Sequence, residues 1–251
     1  MKISIIGAGN VGGLAALRLA ELNIADELLL IDVANGIAQG KVLDMDDARS
    51  ILKLDYNIKG SNDIEAIKDS NIVVVTAGFA RKPGMTREDL FNKNAAVIKD
   101  ICANIQKLSS EAIVLIVTNP LDLMTLLALN VTGFSPGRVF GMGVSLDASR
   151  FANLISKELG VPASEIEATV IGSHGEGMMP LPRFTRVKGV SLDKSLDEKK
   201  VGELTAKTVD RGREIVSLLG SGSAFVAPSA AITEIVKAIV KDEKRLIGVS
   251  A

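Results

Sequence analysis

Two patterns alternate along the first half of the chain. Short β-branched runs, Ile3 to Ile6, Leu28 to Ile31, Ile72 to Thr76 and Ile113 to Thr118, are apolar at nearly every position. A strand that is apolar on both faces is one covered by helices on both sides, as in a parallel sheet. Between the runs lie longer stretches with helical spacing. Val11 to Leu22 is apolar nearly all round apart from Arg18 and Glu21, while Ala38 to Leu52 and Arg87 to Leu108 keep polar faces. The succession predicts a doubly wound parallel sheet with right-handed crossovers, binding ligands at the carboxyl ends of its strands.

From about Val139 the texture changes. Leu146 to Leu159 reads as a helix stopped by Gly160 and Pro162, and Ala168 to Ile171 reads as a short strand. Phe184 to Leu192 alternates like a hairpin around Lys188-Gly189, and two helical patterns follow, Glu198 to Leu219 and Ala230 to Val240. A last apolar stretch, Leu246 to Val249, comes just before Ala251. This half is α+β in character. With no Pro-rich linker, repeat or low-complexity tract, the boundary is expected to be a packed junction. We therefore expect two domains, residues 1–142 and 143–251.

Composition narrows the function. The 251 residues are 47% hydrophobic and 24% charged, enough apolar material for a large core, which argues against disorder. With 29 Lys+Arg against 30 Asp+Glu, no global basic field exists to draw in nucleic acid or an anionic membrane. No run of eighteen apolar residues and no cleavable-signal layout occur, so we expect neither membrane spanning nor export. The single cysteine, Cys102, excludes an internal disulfide and a thiolate metal cage. That fits a reducing compartment, and we expect a cytoplasmic protein without a metal centre. There is one histidine, so chemistry that needs an imidazole rests on His174.

Gly7-Ala8-Gly9-Asn10-Val11-Gly12 is a GxGxxG directly after a strand and at the start of a helix. In that context the first glycine allows the tight turn, the second lets a pyrophosphate approach the backbone, and the third lets helix and strand pack closely. Phosphate then sits at a helix N-terminus, where free N–H groups and the helix dipole favour an anion. Asp32, twenty residues after Gly12 at the end of the second strand, can accept hydrogen bonds from a ribose diol and would repel a 2′-phosphate. Neither Val33 nor Ala34 is basic, so NAD is favoured over NADP. The competing reading is a Gly-rich turn with a capping aspartate.

Four further segments carry candidate chemistry. Ala77 to Arg87 follows the third apolar strand and holds Arg81, Lys82 and Arg87 with two glycines and a proline, the make-up of a loop that brings charge onto a ligand and equally of a plain surface loop. Asp147 and Arg150 lie three apart at a helix start and share a face. Taken alone they read more readily as a solvated ion pair. His174 stands between glycines just past a strand end, in Gly172-Ser173-His174-Gly175, where the backbone can bring it close to a ligand and it can act as a general base near neutrality. Asn119-Pro120 closes the fourth strand at the same sheet edge and is also an ordinary turn starter, while Asn94, polar amid Ala95, Ala96 and Val97, fits an exposed helix position.

Taken in order, these segments resemble the lactate dehydrogenase-like malate dehydrogenases of the lactate/malate dehydrogenase superfamily, from Met1 essentially to Ala251. The resemblance implies a Rossmann sheet followed by an α+β substrate domain, with NAD as cofactor and malate and oxaloacetate as substrates. It implies His174 as the acid/base, Asp147 as the residue that orients it, and Arg150 as the grip on the substrate's C1 carboxylate. Arg81, just before Lys82-Pro83-Gly84-Met85, would pair with the distal carboxylate, where lactate dehydrogenases carry a neutral glutamine. Arg87 would polarise the carbonyl and Asn119 would contact the substrate hydroxyl. Asn94, Val117, Thr118 and Asn119 would contact the cofactor. The resemblance further implies a homo-oligomer, dimer or tetramer, and a place in the tricarboxylic acid cycle. The family continues for several tens of residues beyond the segment that ends at Ala251, so the substrate domain is expected to be short at its C-terminal end, with Leu246 to Val249 lacking a partner strand. The alternatives are a lactate or other 2-hydroxy-acid dehydrogenase, and an NAD-binding protein without turnover.

Overall fold

In the computed structural model, which describes residues 1–79 and 86–251, the apolar runs of the first half become parallel strands. In chain order these elements are β1 (Lys2–Ile6), α1 (Asn10–Leu22), β2 (Glu27–Ile31), α2 (Ile37–Leu52), β3 (Ile58–Ser61), β4 (Ile72–Val75), α3 (Arg87–Leu108), β5 (Ile113–Ile116), α4 (Leu121–Thr132) and β6 (Val139–Gly141). Among the described residues the strands form a six-stranded sheet in the order β3-β2-β1-β4-β5-β6, parallel at every pairing. Ile3 lies opposite Leu28 on one side and Ile72 on the other, so β1 is central and its Ile3 and Ile5 are fully buried. The order reverses between β1 and β4, which makes the carboxyl ends of these two strands the place where an open α/β sheet receives a ligand.

Three elements of this unit left little trace in the hydrophobic pattern. β3, Ile-Lys-Gly-Ser, pairs only with β2 and buries a single apolar residue, Ile58. β6 is a three-residue edge strand. α4 is apolar on almost every side, with Met124 and Ala128 buried while Leu123 and Leu126 stay exposed, so no polar face marks its period. β4 and β5 also stop short of Thr76 and Thr118. The Thr76 N–H still donates to the Ile6 carbonyl at 2.8 Å, and the two hydroxyls tie the strand ends together, Thr76 donating to the Gly7 carbonyl at 2.9 Å and Thr118 to the Ala77 carbonyl at 2.7 Å.

The second half holds α5 (Val144–Leu159), β7 (Ile166–Glu167), β8 (Val170–Gly172), β9 (Met178–Pro180), β10 (Arg186–Val187), β11 (Val190–Ser191), α6 (Glu198–Leu219) and α7 (Val226–Val240). The strand expected at Ala168 to Ile171 is divided. Residues 166–167 pair with β10, residues 170–172 pair antiparallel with β9, and Thr169 between them receives the Leu181 N–H on its carbonyl instead. The hairpin expected around Lys188-Gly189 is β10 and β11, with φ of 51° and 78° at those two residues. Two successive residues at positive φ match the turn whose twist suits a tight hairpin. α6 begins where Asp197 caps it by accepting from the Lys200 N–H at 2.8 Å.

The described residues group into two compact units, one of Met1–Met142 with Pro228–Arg245 and Ala251, the other of Gly143–Ala227 with Leu246–Ser250. Residues 228–245, which the linear division placed in the second domain, thus belong with the first unit, where Ile232, Ile235 and Val236 are buried and Arg18 donates to the Ser229 hydroxyl at 3.2 Å. Leu246 to Val249 forms no strand; Gly248 lies against Val144, and Leu246 is fully exposed.

The core of the second unit centres on Phe151, Ile155, Leu192 and Leu204. Phe151 is the largest wholly buried side chain of α5, one residue after Arg150. Phe151→Ala is expected to cost about 3–5 kcal/mol through lost transfer energy and the cavity left behind. Urea unfolding measures this, and an unchanged midpoint would show that α5 does not rest on that contact.

Candidate active site

The glycine-rich turn is shaped by close approach. The Gly7 N–H donates to the Ile31 carbonyl at 2.7 Å, and a Cβ on Gly12 would lie 1.9 Å from the Gly7 carbonyl oxygen and 2.6 Å from Thr76 Oγ1. Nothing lies within 4 Å of a Cβ built on Gly9. α1 starts there with no side-chain cap, so no capping side chain takes up the N–H groups of its first turn. Asp32, just past β2, accepts from the Ala8 N–H at 2.8 Å and the Ala34 N–H at 3.0 Å, which fixes its carboxylate beside the turn. An open cradle, uncapped donors and a held carboxylate fit the pyrophosphate and ribose of a dinucleotide. Lys41, unremarked in the sequence, reaches over from α2 to donate to the Gly9 carbonyl at 3.0 Å. A lysine in mid-helix carries no pattern that would single it out.

At the ends of β4 and β5 the structure gathers Gly78, Phe79, Asn94, Thr118 and Asn119. Asn94 is wholly buried, not exposed as its helical neighbours suggested. Its Oδ1 accepts from the Phe79 N–H at 2.7 Å, and its Nδ2 donates to the Phe79 carbonyl at 3.2 Å and the Asn119 carbonyl at 2.7 Å. The Asn119-Pro120 peptide is cis. Val117 continues the β5 direction by donating to the Val75 carbonyl. Arg81 lies outside the described residues, as does the side chain of Arg87, which opens α3.

In the second unit α5 and the β8–β9 turn bring three residues together. Asp147 is 0% exposed, and its Oδ2 meets His174 Nδ1 at 2.7 Å while its Oδ1 receives Arg150 Nη1 at 3.3 Å. A solvated surface pair is therefore the wrong description of Asp147 and Arg150. A carboxylate withdrawn from water persists only if cations or donors satisfy it, and here both oxygens are engaged. Burial draws the Arg150 guanidinium down from its ordinary range, opposed by the charge and hydrogen bond of Asp147 and reinforced by the nearby Arg211. Gly172 shapes the His174 turn: its φ is +85°, and a Cβ there would stand 2.3 Å from the Gly177 carbonyl oxygen. Because Asp147 accepts at Nδ1, a neutral ring carries its proton there and keeps Nε2 as the basic nitrogen. Among the described residues no cluster of three His, Cys, Asp or Glu could hold a metal ion, and no helix is long and apolar enough to cross a membrane.

Two family models match the chain, the lactate/malate dehydrogenase NAD binding domain over residues 1–141 and the lactate/malate dehydrogenase alpha/beta C-terminal domain over residues 144–251. The chain belongs to the lactate/malate dehydrogenase family. It is 49% identical to a malate dehydrogenase of Methanosarcina mazei over 251 residues, all of this chain and 81% of the relative. The apo malate dehydrogenase of Picrophilus torridus aligns with a TM-score of 0.94 at 40% identity, over 99% of this chain and 78% of that one. A lactate dehydrogenase of Cryptosporidium parvum, solved with lactic acid and nicotinamide adenine dinucleotide, aligns with a TM-score of 0.95 at 34% identity, over 100% of this chain and 80% of that one. The backbone is common to both activities, so it does not discriminate between them. The family's NAD binding domain covers the glycine turn and Asp32.

Asp147→Asn keeps the shape of the side chain but removes the charge that satisfies Arg150 and stabilises a protonated His174. Turnover is expected to fall by roughly 100-fold or more with the far-ultraviolet circular dichroism unchanged. Wild-type turnover in that variant would contradict the account of the buried carboxylate.

Proposed function

We propose that the chain interconverts malate and oxaloacetate, and that the residues above divide the work between binding, orientation and proton transfer. The observation that carries the reading is the bond of His174 Nδ1 to the buried Asp147 carboxylate at 2.7 Å, with Arg150 on the same carboxylate. When bound, NAD supplies the hydride acceptor. Malate loses hydride from C2 as its hydroxyl loses a proton, so a base is required at that oxygen, and His174 Nε2 has the chemistry to take the proton. Asp147 stabilises the imidazolium that forms. Arg150 pairs with the C1 carboxylate and Arg81 with the distal one, two grips that orient C2. In the reverse direction Arg87 favours the negative charge developing on the carbonyl oxygen, and Asn119 contacts that same oxygen as the hydroxyl forms. Gly7 to Gly12 and Asp32 hold pyrophosphate and ribose, with Asn94, Val117, Thr118 and Asn119 toward the nicotinamide end. Along the chain the functional division is residues 1–142 for cofactor and 143–251 for substrate, although residues 228–245 pack with the first unit.

The second reading, a lactate or other 2-hydroxy-acid dehydrogenase, is favoured by the likeness to the Cryptosporidium parvum enzyme. Residue 81 separates the two, because only a cation there matches a second carboxylate. Single-cysteine composition supports a reducing, cytoplasmic setting, and the family resemblance supports a homo-oligomer and a role in the tricarboxylic acid cycle.

Arg81→Gln is expected to lower kcat/KM for oxaloacetate and raise it for pyruvate, moving their ratio by about 100-fold or more, as loss of one charge-assisted pair implies. An unmoved ratio would remove Arg81 from substrate selection. His174→Asn is expected to lower kcat by about 100- to 10,000-fold while NADH affinity, read by fluorescence titration, stays near wild type; retained turnover would take His174 out of the mechanism.

A further inference from the structure

Asn35 and Gly36 form an exposed turn between β2 and α2, just past Asp32. Asn35 is the one asparagine of the sequence that is followed by glycine; each of the others precedes a residue whose side chain shields the next backbone nitrogen. Gly36 has a φ of +82° and nothing lies within 4 Å of a Cβ built on it, and among the described residues its N–H has no acceptor. The Asn35 side chain is engaged from the other side. Asn62, just past β3, donates from Nδ2 to Asn35 Oδ1 at 2.5 Å, and Gln39 Nε2 donates in turn to Asn62 Oδ1 at 3.4 Å. A donor on Oδ1 draws electron density from Cγ and leaves that carbon open to a nucleophile. The unshielded Gly36 nitrogen is the next one along the chain, and its attack closes a succinimide ring.

We propose that Asn35 is a deamidation site and that its conversion weakens dinucleotide binding at Asp32. The Gly36 nitrogen gives up its proton and bonds to Asn35 Cγ, the Cγ–Nδ2 bond breaks, and ammonia leaves with that proton. Water then opens the succinimide at one carbonyl or the other, giving aspartate or isoaspartate with no change of oxidation state. Either product adds a negative charge to the turn, and isoaspartate also lengthens its backbone by a methylene. The same turn holds the Asp32 carboxylate through the Ala34 N–H at 3.0 Å, so the new carboxylate arises one residue from that anchor. α2 tolerates the charge, because it stands just ahead of the first helical turn, where the dipole favours an anion. The cost therefore falls on binding an anionic ligand and not on folding. This consequence rests on the place given to Asp32 above.

The test keeps the full chain warm at mildly alkaline pH, with Asn35→Asp and Asn35→Gln alongside; glutamine retains the amide but closes its ring far more slowly. At intervals the peptide that carries residues 35–36 is resolved by chromatography and mass spectrometry into its asparagine, aspartate and isoaspartate forms, and the NADH dissociation constant is measured. Asn35 is expected to convert ahead of every other asparagine. The dissociation constant is expected to rise with it by about 3- to 10-fold, the scale of one added charge near the phosphates in a partly solvated site. Fresh Asn35→Asp is expected to show the same rise, reduced at high salt, and Asn35→Gln to keep its affinity through the incubation. Asn35 left intact while other asparagines convert overturns the proposal, as does its conversion with the dissociation constant unmoved. Equal loss of affinity in aged Asn35→Gln also overturns it, because the damage would then lie elsewhere. No NADH binding by the fresh unmodified chain would contradict the dinucleotide reading itself, and the loss of affinity with it; wild-type affinity in fresh Asn35→Asp rejects only the link from Asn35 to Asp32.

Discussion

A carboxylate with no contact to water sets the terms for the second unit. Asp147 is held on one oxygen by Arg150 and on the other by His174. Breaking such an arrangement by removing one partner costs several kcal/mol, because a buried charge is left uncompensated. The elements that carry the three residues are arranged accordingly. Asp147 sits in the first turn of α5, where the helix dipole also favours its charge, and Arg150 follows one turn on, on the same face. Phe151 anchors that turn in the core. The β8–β9 turn needs Gly172 in a left-handed conformation for His174 to reach the carboxylate at all. The same constraint serves chemistry, since one buried charge fixes the histidine tautomer and keeps an arginine desolvated.

Much of the first unit was legible because its signals are local and periodic. Four strands apolar on both faces, a glycine fingerprint between the first strand and the first helix, and an aspartate after the second strand suffice to predict a parallel sheet and the glycine turn at its edge. β3 and β6 escaped because edge strands need few apolar residues, and α4 because a helix apolar all round has no period to read. In the second unit, strands of two and three residues are too short to carry alternation, and the split between β7 and β8 depends on Thr169, whose carbonyl accepts from the Leu181 N–H and whose N–H donates to the Thr185 hydroxyl, bonds that no local pattern reveals. The site was legible in its residue types but not in their burial. Asp147 and Arg150 looked like a surface pair and Asn94 like an exposed position, and in each case a partner distant in sequence, His174 for Asp147 and Phe79 and Asn119 for Asn94, decides otherwise. Lys41 meets Gly9 across thirty-two residues and was equally hidden.

Fold likeness reaches as far as the family and stops there. TM-scores of 0.94 to a malate dehydrogenase and 0.95 to a lactate dehydrogenase show one backbone serving both activities. Under the proposed function, binding the nucleotide, orienting the imidazole and gripping one carboxylate are tasks common to both activities, and they fall to Gly7 to Gly12, Asp32, Asp147, Arg150 and His174. Selection between a monocarboxylate and a dicarboxylate needs one further charge, and in this sequence residue 81 is an arginine. A guanidinium rewards a second carboxylate with two parallel hydrogen bonds and stands unpaired against a methyl group, so it discriminates by attraction and by desolvation together.

The central claim is thus that the buried Asp147–His174–Arg150 group, with an arginine at position 81, makes a working enzyme for a four-carbon dicarboxylate. Its most direct test is the rate of NADH oxidation by the unmodified chain, followed by absorbance, with oxaloacetate and pyruvate compared at equal concentration. Rapid turnover of oxaloacetate and a rate for pyruvate lower by about 100-fold or more is the result expected of a site that holds one additional charge-assisted pair. Equal rates, a preference for pyruvate, or NADH binding without turnover of either would contradict it.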